Sequence, residues 1–354
     1  GPIHAGIIEP GHFRFSQAGE HIINLEAKLF YTHRGIEKAV EGQHVEKAYY
    51  QVERICGACA VSHALSYCQA LEKLANLEIT PEAQYARVIA AELERLYNHV
   101  GDAGNLCAGL AFAVGISHGA RMKESLMRLN ELIAGNRFLR GLVVPGGVGR
   151  SFDDHTLATI DRVLSKLEPD FCELIDILRE SEAFLDRINT TGIVPYEAAV
   201  DLALVGVGAR ASGVNADVRR DAPYGAYDQL TFKVPVFEQG DVAARLWVRV
   251  EEVYQSISLI RQAGKLLRDA GREWRRPLPD LPSYRTAIGW SESARGSNIH
   301  WLMTGEKSTL YRLFVRSASY PNWPALAVAA PGNIIPDFPL INKSFELCYA
   351  CIDR

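Results

Sequence analysis

Apolar residues recur at helical spacing over most of this chain and alternate only near its two ends. Near the start, Phe13-Arg14-Phe15 and His21-Ile22-Ile23-Asn24-Leu25 flank the turn-forming Gln17-Ala18-Gly19-Glu20, which predicts a β-hairpin. A polar link over 31–44 follows. Helical spacing then runs over 45–77 and is broken at Cys56-Gly57-Ala58-Cys59. Thr80-Pro81-Glu82 reads as an N-cap with proline at the first helical position. It opens a long helix carrying Glu92, Glu94, Arg95 and His99. Further helices are expected over 119–138, 153–188 and 241–267, with a loop at 144–149. Pro195, Gly206, Gly208, Gly213, Pro223 and Gly225 break up the stretch 190–235. After Pro277 two strands are expected, Thr286-Ala287-Ile288-Gly289-Trp290 and Leu310-Tyr311-Arg312-Leu313-Phe314-Val315. Pro331, Pro336 and Pro339 predict an extended approach to the end of the chain. The fold class expected is mainly α with small β elements (α+β), built as a long helical bundle. Residues 1–354 are read as one domain: a β/loop region (1–44), the bundle (45–275) and a β/extended region (276–354).

Length and composition narrow the function. A chain of 354 residues can bury a sizeable core without a metal staple. A net charge of -4 argues against nucleic acid as a partner. No apolar run reaches the roughly 18 residues that span a bilayer, and no signal peptide opens the chain. Any membrane association is therefore expected through partner subunits. The start at Gly1 instead of Met leads us to expect that something upstream was removed or left out.

The chemistry sits in cysteines. Of seven, Cys68, Cys107 and Cys172 lie in apolar helical patterns and are expected to be buried thiols. The other four form two Cys-x-x-Cys pairs near opposite ends, Cys56/Cys59 and Cys348/Cys351. That spacing and an odd count point to metal or redox use in a reducing compartment. Four thiolates suit zinc, nickel, copper(I) or iron. A structural zinc site and an iron–sulfur cluster are alternatives, but zinc ribbons keep their pairs close, and here nearly the whole chain lies between them. His63, one helical turn past Cys59, can reach back over a cysteine sulfur. These features favour a catalytic metal.

The residues also carry a resemblance. Glu9-Pro10-Gly11-His12-Phe13-Arg14, Arg54-x-Cys56-Gly57-x-Cys59-x-x-x-His63, Glu94-Arg95-Leu96-x-x-His99, Ala294-Arg295-Gly296 and Cys348-x-x-Cys351-x-x-Arg354 together resemble the large subunit of nickel–iron hydrogenases. More narrowly they resemble the energy-converting, membrane-associated class, which is related to the quinone-site subunit of respiratory complex I. Gly1-Pro2-Ile3-His4 and the stretch from His33 to Lys38 belong to the same likeness. The resemblance implies nickel held by Cys56, Cys59, Cys348 and Cys351, with Cys59 and Cys351 bridging to an iron that carries two cyanides and one carbon monoxide. It also admits a magnesium ion. Cys348 would be the first base, Glu9 the proton gate and Arg295 the positive charge over the metals. His63 would donate to a bridging sulfur, and Arg95 and His99, with Glu94, would form a buried polar network beside the cofactor, which Asp102 could join. The implied reaction is reversible H+ reduction and H2 oxidation, with electrons exchanged through an iron–sulfur cluster in a small partner subunit. Further complex I-like hydrophilic and membrane subunits would hold the chain, as a cytoplasmic peripheral subunit, on the inner face of the cell membrane.

Two departures stand out. Glu346-Leu347 replaces the Asp-Pro that hydrogenases typically carry before the last pair. Arg354 stands where many relatives have His, although the energy-converting class shares Arg, and the stop there resembles a matured form. Two other functions stay open: a metal-free coupling subunit in which His4, His33 and Arg34 line a quinone or proton cavity, and a metalloenzyme that reduces polysulfide. Complex I relatives lack the cysteine quartet, which disfavours the first.

Overall fold

The computed structural model describes residues 9–354. β1 (His12–Ala18) and β2 (His21–Lys28) pair antiparallel around Gly19-Glu20, as the alternation predicts. Short helices α1 (Ile36–Ala39) and α2 (Val45–Val52) lead to the first cysteine loop, and α3 (Ala60–Leu74) starts directly after Cys59. α4 (Pro81–Ala108) begins at the proline, whose missing N–H is harmless in a first turn. Thr80 does not cap it; its hydroxyl donates instead to the Glu273 carbonyl at 2.6 Å.

α5 (Ala113–Ala134) starts six residues before the expected position and runs through Gly115 and Gly119. A Cβ on Gly119 would lie 2.5 Å from the Gly104 Cα, so α4 and α5 touch backbone to backbone. That close packing offsets the helix penalty of glycine, about 1 kcal/mol each. Gly135, left-handed at φ 73°, then stops α5 short of the expected Phe138. Within the expected loop, β3 (Val143–Val144) and β4 (Gly147–Val148) form a two-residue ladder.

The segment 153–188 is two helices, α6 (Asp154–Glu180) and α7 (Glu182–Ile188). Ser181 takes an extended backbone between them and caps α7, accepting from the Phe184 N–H at 3.3 Å. The short helices α8 (Tyr196–Asp201), α9 (Gly206–Ala211) and α10 (Val218–Asp221) fill the broken region. α11 (Val242–Arg268), capped by Asp241, packs along α4 as the central helix pair.

β5 (Thr286–Ser293), β6 (Gly296–Thr304) and β7 (Leu310–Arg316) make an antiparallel sheet in that order. β6 was not expected because its pattern is inverted. Asn298, His300 and Thr304 are buried, while Ile299, Trp301 and Met303 are only half-buried. α3 lies across β5 and β6 so closely that a Cβ on Gly289 would meet the Ser66 carbonyl oxygen at 1.9 Å. The C-terminal region is not extended, as the prolines suggested. It holds α12 (Ser319–Ala329) and α13 (Phe338–Phe345). Pro331 follows the end of α12, and Pro339 sits in the first turn of α13, so these prolines punctuate helices without preventing them. The main apolar core includes Cys56, Cys59 and Cys351.

Candidate metal centre

The sulfurs of Cys56, Cys59, Cys348 and Cys351 all lie within 4.8 Å of one another, and none is in a disulfide. Cys56, Cys59 and Cys351 are buried, and Cys348 is half-buried. Four sulfurs this close cannot all ionise without a cation. Hydrogen bonds from Cys351, Cys56 and Cys59 hold Cys348 well below the usual thiol range, with Arg295 adding to the effect. The same contacts with Cys348 hold the protons on Cys59 and Cys351 well above it. A divalent soft cation displaces such shared protons and leaves four thiolates. The donor set therefore fits nickel. The Ala58 N–H also donates to Cys56 Sγ at 3.3 Å.

Helix α4 braces the first loop with three residues of one face. Tyr97 Oη donates to the Gly57 carbonyl at 2.9 Å and Asn98 Nδ2 to that of Ala58 at 2.7 Å. Glu94 accepts from the backbone of Val61 at 2.6 Å and of Ser62 at 3.1 Å, at the N-terminus of α3. Burial raises Glu94 to about 7 even though these bonds and that helix end favour the charged form. Arg34 ties the two cysteine motifs together. Its Nη2 donates to the carbonyls of Ile55 at 2.5 Å and Ala350 at 2.7 Å, and its Nη1 to that of Arg54 at 3.1 Å. Sequence reasoning offered Arg34 only as a cavity lining; its adjacency to His33 in the resembling stretch was the available signal.

Arg295 lies in the turn between β5 and β6. Its guanidinium forks onto Asp102, Nη2 to Oδ1 at 3.0 Å and Nη1 to Oδ2. Although burial opposes the charge, Asp102, Cys348 and Glu346 hold it. Arg295 Nε is buried with no hydrogen-bond partner among the described residues. The turn needs Gly296: its φ of 123° disfavours any side chain, and a Cβ would meet Val205 Cγ2 at 2.6 Å. Glu346 ends α13 in the left-handed region, φ 51° and ψ 42°, and accepts from Asn105 Nδ2 at 2.5 Å. Leu347 leaves Glu346 free of the restriction that proline imposes on a preceding residue. Burial, then Asp102, raises Glu346 to about 7.

The chain matches the family described as nickel-dependent hydrogenase over 34–108, and respiratory-chain NADH dehydrogenase, 49 Kd subunit, over 112–283 and 280–354. It is 34% identical to the carbon monoxide-induced hydrogenase of Rhodospirillum rubrum, covering 100% of this chain and 98% of that one. The chain belongs to the nickel–iron hydrogenase large-subunit and complex I 49 kDa family. Formate hydrogenlyase subunit 5 of Escherichia coli (strain K12) is also 34% identical over 100% of this chain, which spans only 62% of that relative. The fold matches a chain of the membrane-bound sulfane sulfur reductase, an archaeal respiratory membrane complex, with a TM-score of 0.92. That match covers 98% of this chain and 95% of the other, at 24% identity, and is a likeness of fold.

In this hydrogenase-family chain, Arg95 and His99 bond to groups of β5 and α11. Arg95 Nη1 and Nη2 donate to the carbonyls of Ser293 at 3.0 Å and Glu292 at 2.8 Å, just before the Arg295 turn. His99 Nε2 meets Glu252 Oε2 at 2.7 Å, and Arg210 Nη2 donates to the other Glu252 oxygen at 2.6 Å. Asp102 joins through Arg249, 3.2 Å away, and through Arg295. Glu94 does not join: it faces α3 from another side of α4. Glu252 and Arg210 lie outside any motif, so only packing reveals them.

The remaining expected residues fall as follows. His63 Nε2 lies 3.7 Å from Cys351 Sγ, the sulfur of the opposite pair. Burial, chiefly, lowers His63 to about 3, so the ring is neutral. Glu9 is half-buried just before β1, and Gly11 lies against the ring of Tyr349, the residue after Cys348. Gly1 to Ile8, including His4, lie outside the described residues. Cys172, expected to be buried, is exposed on the outer side of α6. Among the described residues no second group of three converging His, Cys, Asp or Glu ligands is found. Arg354 Nε pairs with Glu37 at 3.0 Å.

Proposed function

We propose that this chain is the catalytic large subunit of a membrane-associated nickel–iron hydrogenase, interconverting H+ and H2. The observation that carries the reading is the convergence of four unbridged cysteine sulfurs from opposite ends of the chain. Cys56, Cys59, Cys348 and Cys351 would hold nickel, and Cys59 and Cys351 would share it with an iron bearing two cyanides and one carbon monoxide. That pair, when bound, supplies the Lewis acidity that polarises H2 and takes up its electrons. Cys348 is the first proton acceptor, and the positive charge of Arg295 favours its thiolate. Arg295, fixed by Asp102, orients H2 over the centre and offsets its negative charge. Glu9 passes the proton outward from the Cys348 side, and Arg95 and His99 stiffen the floor that carries Arg295.

Electrons leave to an iron–sulfur cluster in a small partner subunit. Relatives include a membrane-bound hydrogenase subunit alpha, of Pyrococcus furiosus. No helix among the described residues is long and apolar enough to cross a membrane. We infer a peripheral place on the inner face of the cell membrane, within a complex I-like assembly, with the whole chain acting as one catalytic unit. Elemental analysis of the purified protein tests this. About one nickel per chain, with infrared bands of metal-bound carbon monoxide and cyanide, is the expected result; zinc alone overturns it. A second reading, reduction of polysulfide at the same centre, is favoured by Glu346-Leu347 in place of Asp-Pro. Assaying the nickel-loaded protein with polysulfide and with H+ as competing acceptors separates the two.

A further inference from the structure

His63 on α3 and His300 on β6 form a fully buried imidazole pair, with His63 Nδ1 2.9 Å from His300 Nε2. One nitrogen must carry the proton and the other accept it. If His63 donates, the His300 proton sits on Nδ1, a buried atom with no partner among the described residues. A buried imidazole nitrogen without a partner is unfavourable whether or not it bears the proton, so the atom that decides the tautomer is the one facing sulfur. A neutral, donating His63 would turn an unprotonated Nε2, and its lone pair, toward the Cys351 sulfur 3.7 Å away. If His300 donates, the conflict at sulfur vanishes. His300 Nδ1 carries no hydrogen, and His63 Nε2–H points at sulfur. We propose that His300 is a positioning residue: it fixes His63 in the Nε2-protonated tautomer, so that His63 donates to the Cys351 thiolate.

The proposal rests on reading Cys351 as a metal thiolate. A neighbouring contact keeps the pair in register. Ser66 Oγ, one turn along α3 from His63, meets Ser291 Oγ of β5 at 2.8 Å. A hydrogen bond to a ligating sulfur draws electron density from it and so tunes the metal from outside its ligands. His300 touches neither sulfur nor substrate; it acts through His63.

Long-range 1H–15N NMR of full-length, histidine-labelled protein tests this with nickel or, failing that, zinc held by the four cysteines, so that Cys351 is a thiolate. The expected result is His63 protonated on Nε2 in the wild type and in His300→Gln, whose amide keeps a donor there. In His300→Leu the tautomers mix or invert. In loaded protein the bands of metal-bound carbon monoxide shift in His300→Leu and return in His300→Gln, and activity falls about 10–100-fold in the leucine variant alone. His63 protonated on Nδ1 in the wild type overturns the proposal, even if the leucine variant does not fold. An unchanged His63 tautomer in a folded His300→Leu also overturns it. Absence of nickel and carbon monoxide bands overturns the hydrogenase reading, while the nitrogen spectra still decide the tautomer.

Discussion

Arg34 Nη2 donates to the carbonyl oxygen of Ala350, 316 positions later in the chain, at 2.7 Å. The same nitrogen reaches Ile55, so one guanidinium clasps the backbone beside both cysteine pairs. Lysine offers a single nitrogen and cannot also hold the Arg54 carbonyl that Nη1 reaches. Arg34→Lys should cost about 1–2 kcal/mol of stability and loosen the C-terminal pair. Nickel retention after dialysis against a chelator should fall below that of the wild type. Equal retention would show the clasp to be incidental.

The Arg295–Asp102 fork is buried on both sides, so breaking it strands a charge. Asp102→Asn should destabilise by about 3–5 kcal/mol in chemical denaturation. Arg295→Lys keeps the charge and loses the fork. It should retain nickel but lower turnover by about 10²–10³. A variant that keeps wild-type turnover would take Arg295 out of the reaction.

Glu94 sets a pH dependence on stability. Its folded value of about 7 lies above the ordinary 4.5. The folded state therefore binds the proton more tightly than the unfolded one. Stability is fully present below pH 4.5 and is lost as pH rises toward 7, by about 2–3 kcal/mol. Glu94→Gln should flatten that part of the denaturation profile, at a pH-independent cost, since its single amide oxygen keeps only part of the bonds from Val61 and Ser62. An unchanged slope between pH 4.5 and 7 would assign the dependence to another group.

Glu9→Gln should leave the nickel content unchanged and slow H/D exchange by about 10² or more. It removes a titratable proton carrier without changing the size of the side chain. Exchange at the wild-type rate would exclude Glu9 from the proton route.

The long periodic elements were legible because their patterns and physics agree. The β1–β2 hairpin, α4 from Pro81 and the cysteine quartet are of that kind. β6 was not legible, since its polar residues face inward to meet α3, and His300 lies among them. α12 and α13 were hidden by prolines that lie in or beside helices. The role of Glu94 differed because helix phase alone does not tell which neighbour a face meets: Arg95 turns to α11, whereas Glu94 turns to α3. Glu252 and Arg210 carry no local signal at all, and their partners come from distant elements.

The meeting of Cys56 and Cys59 with Cys348 and Cys351 has a mechanical consequence. A metal held by both pairs ties the denatured chain into a ring of nearly its full length, as a disulfide would. Ring closure of that size removes about 5–6 kcal/mol of unfolded-chain entropy at room temperature. Loading the centre should thus act as a clamp, making the protein harder to unravel than its packing alone would, and making release of the metal the step that sets it loose.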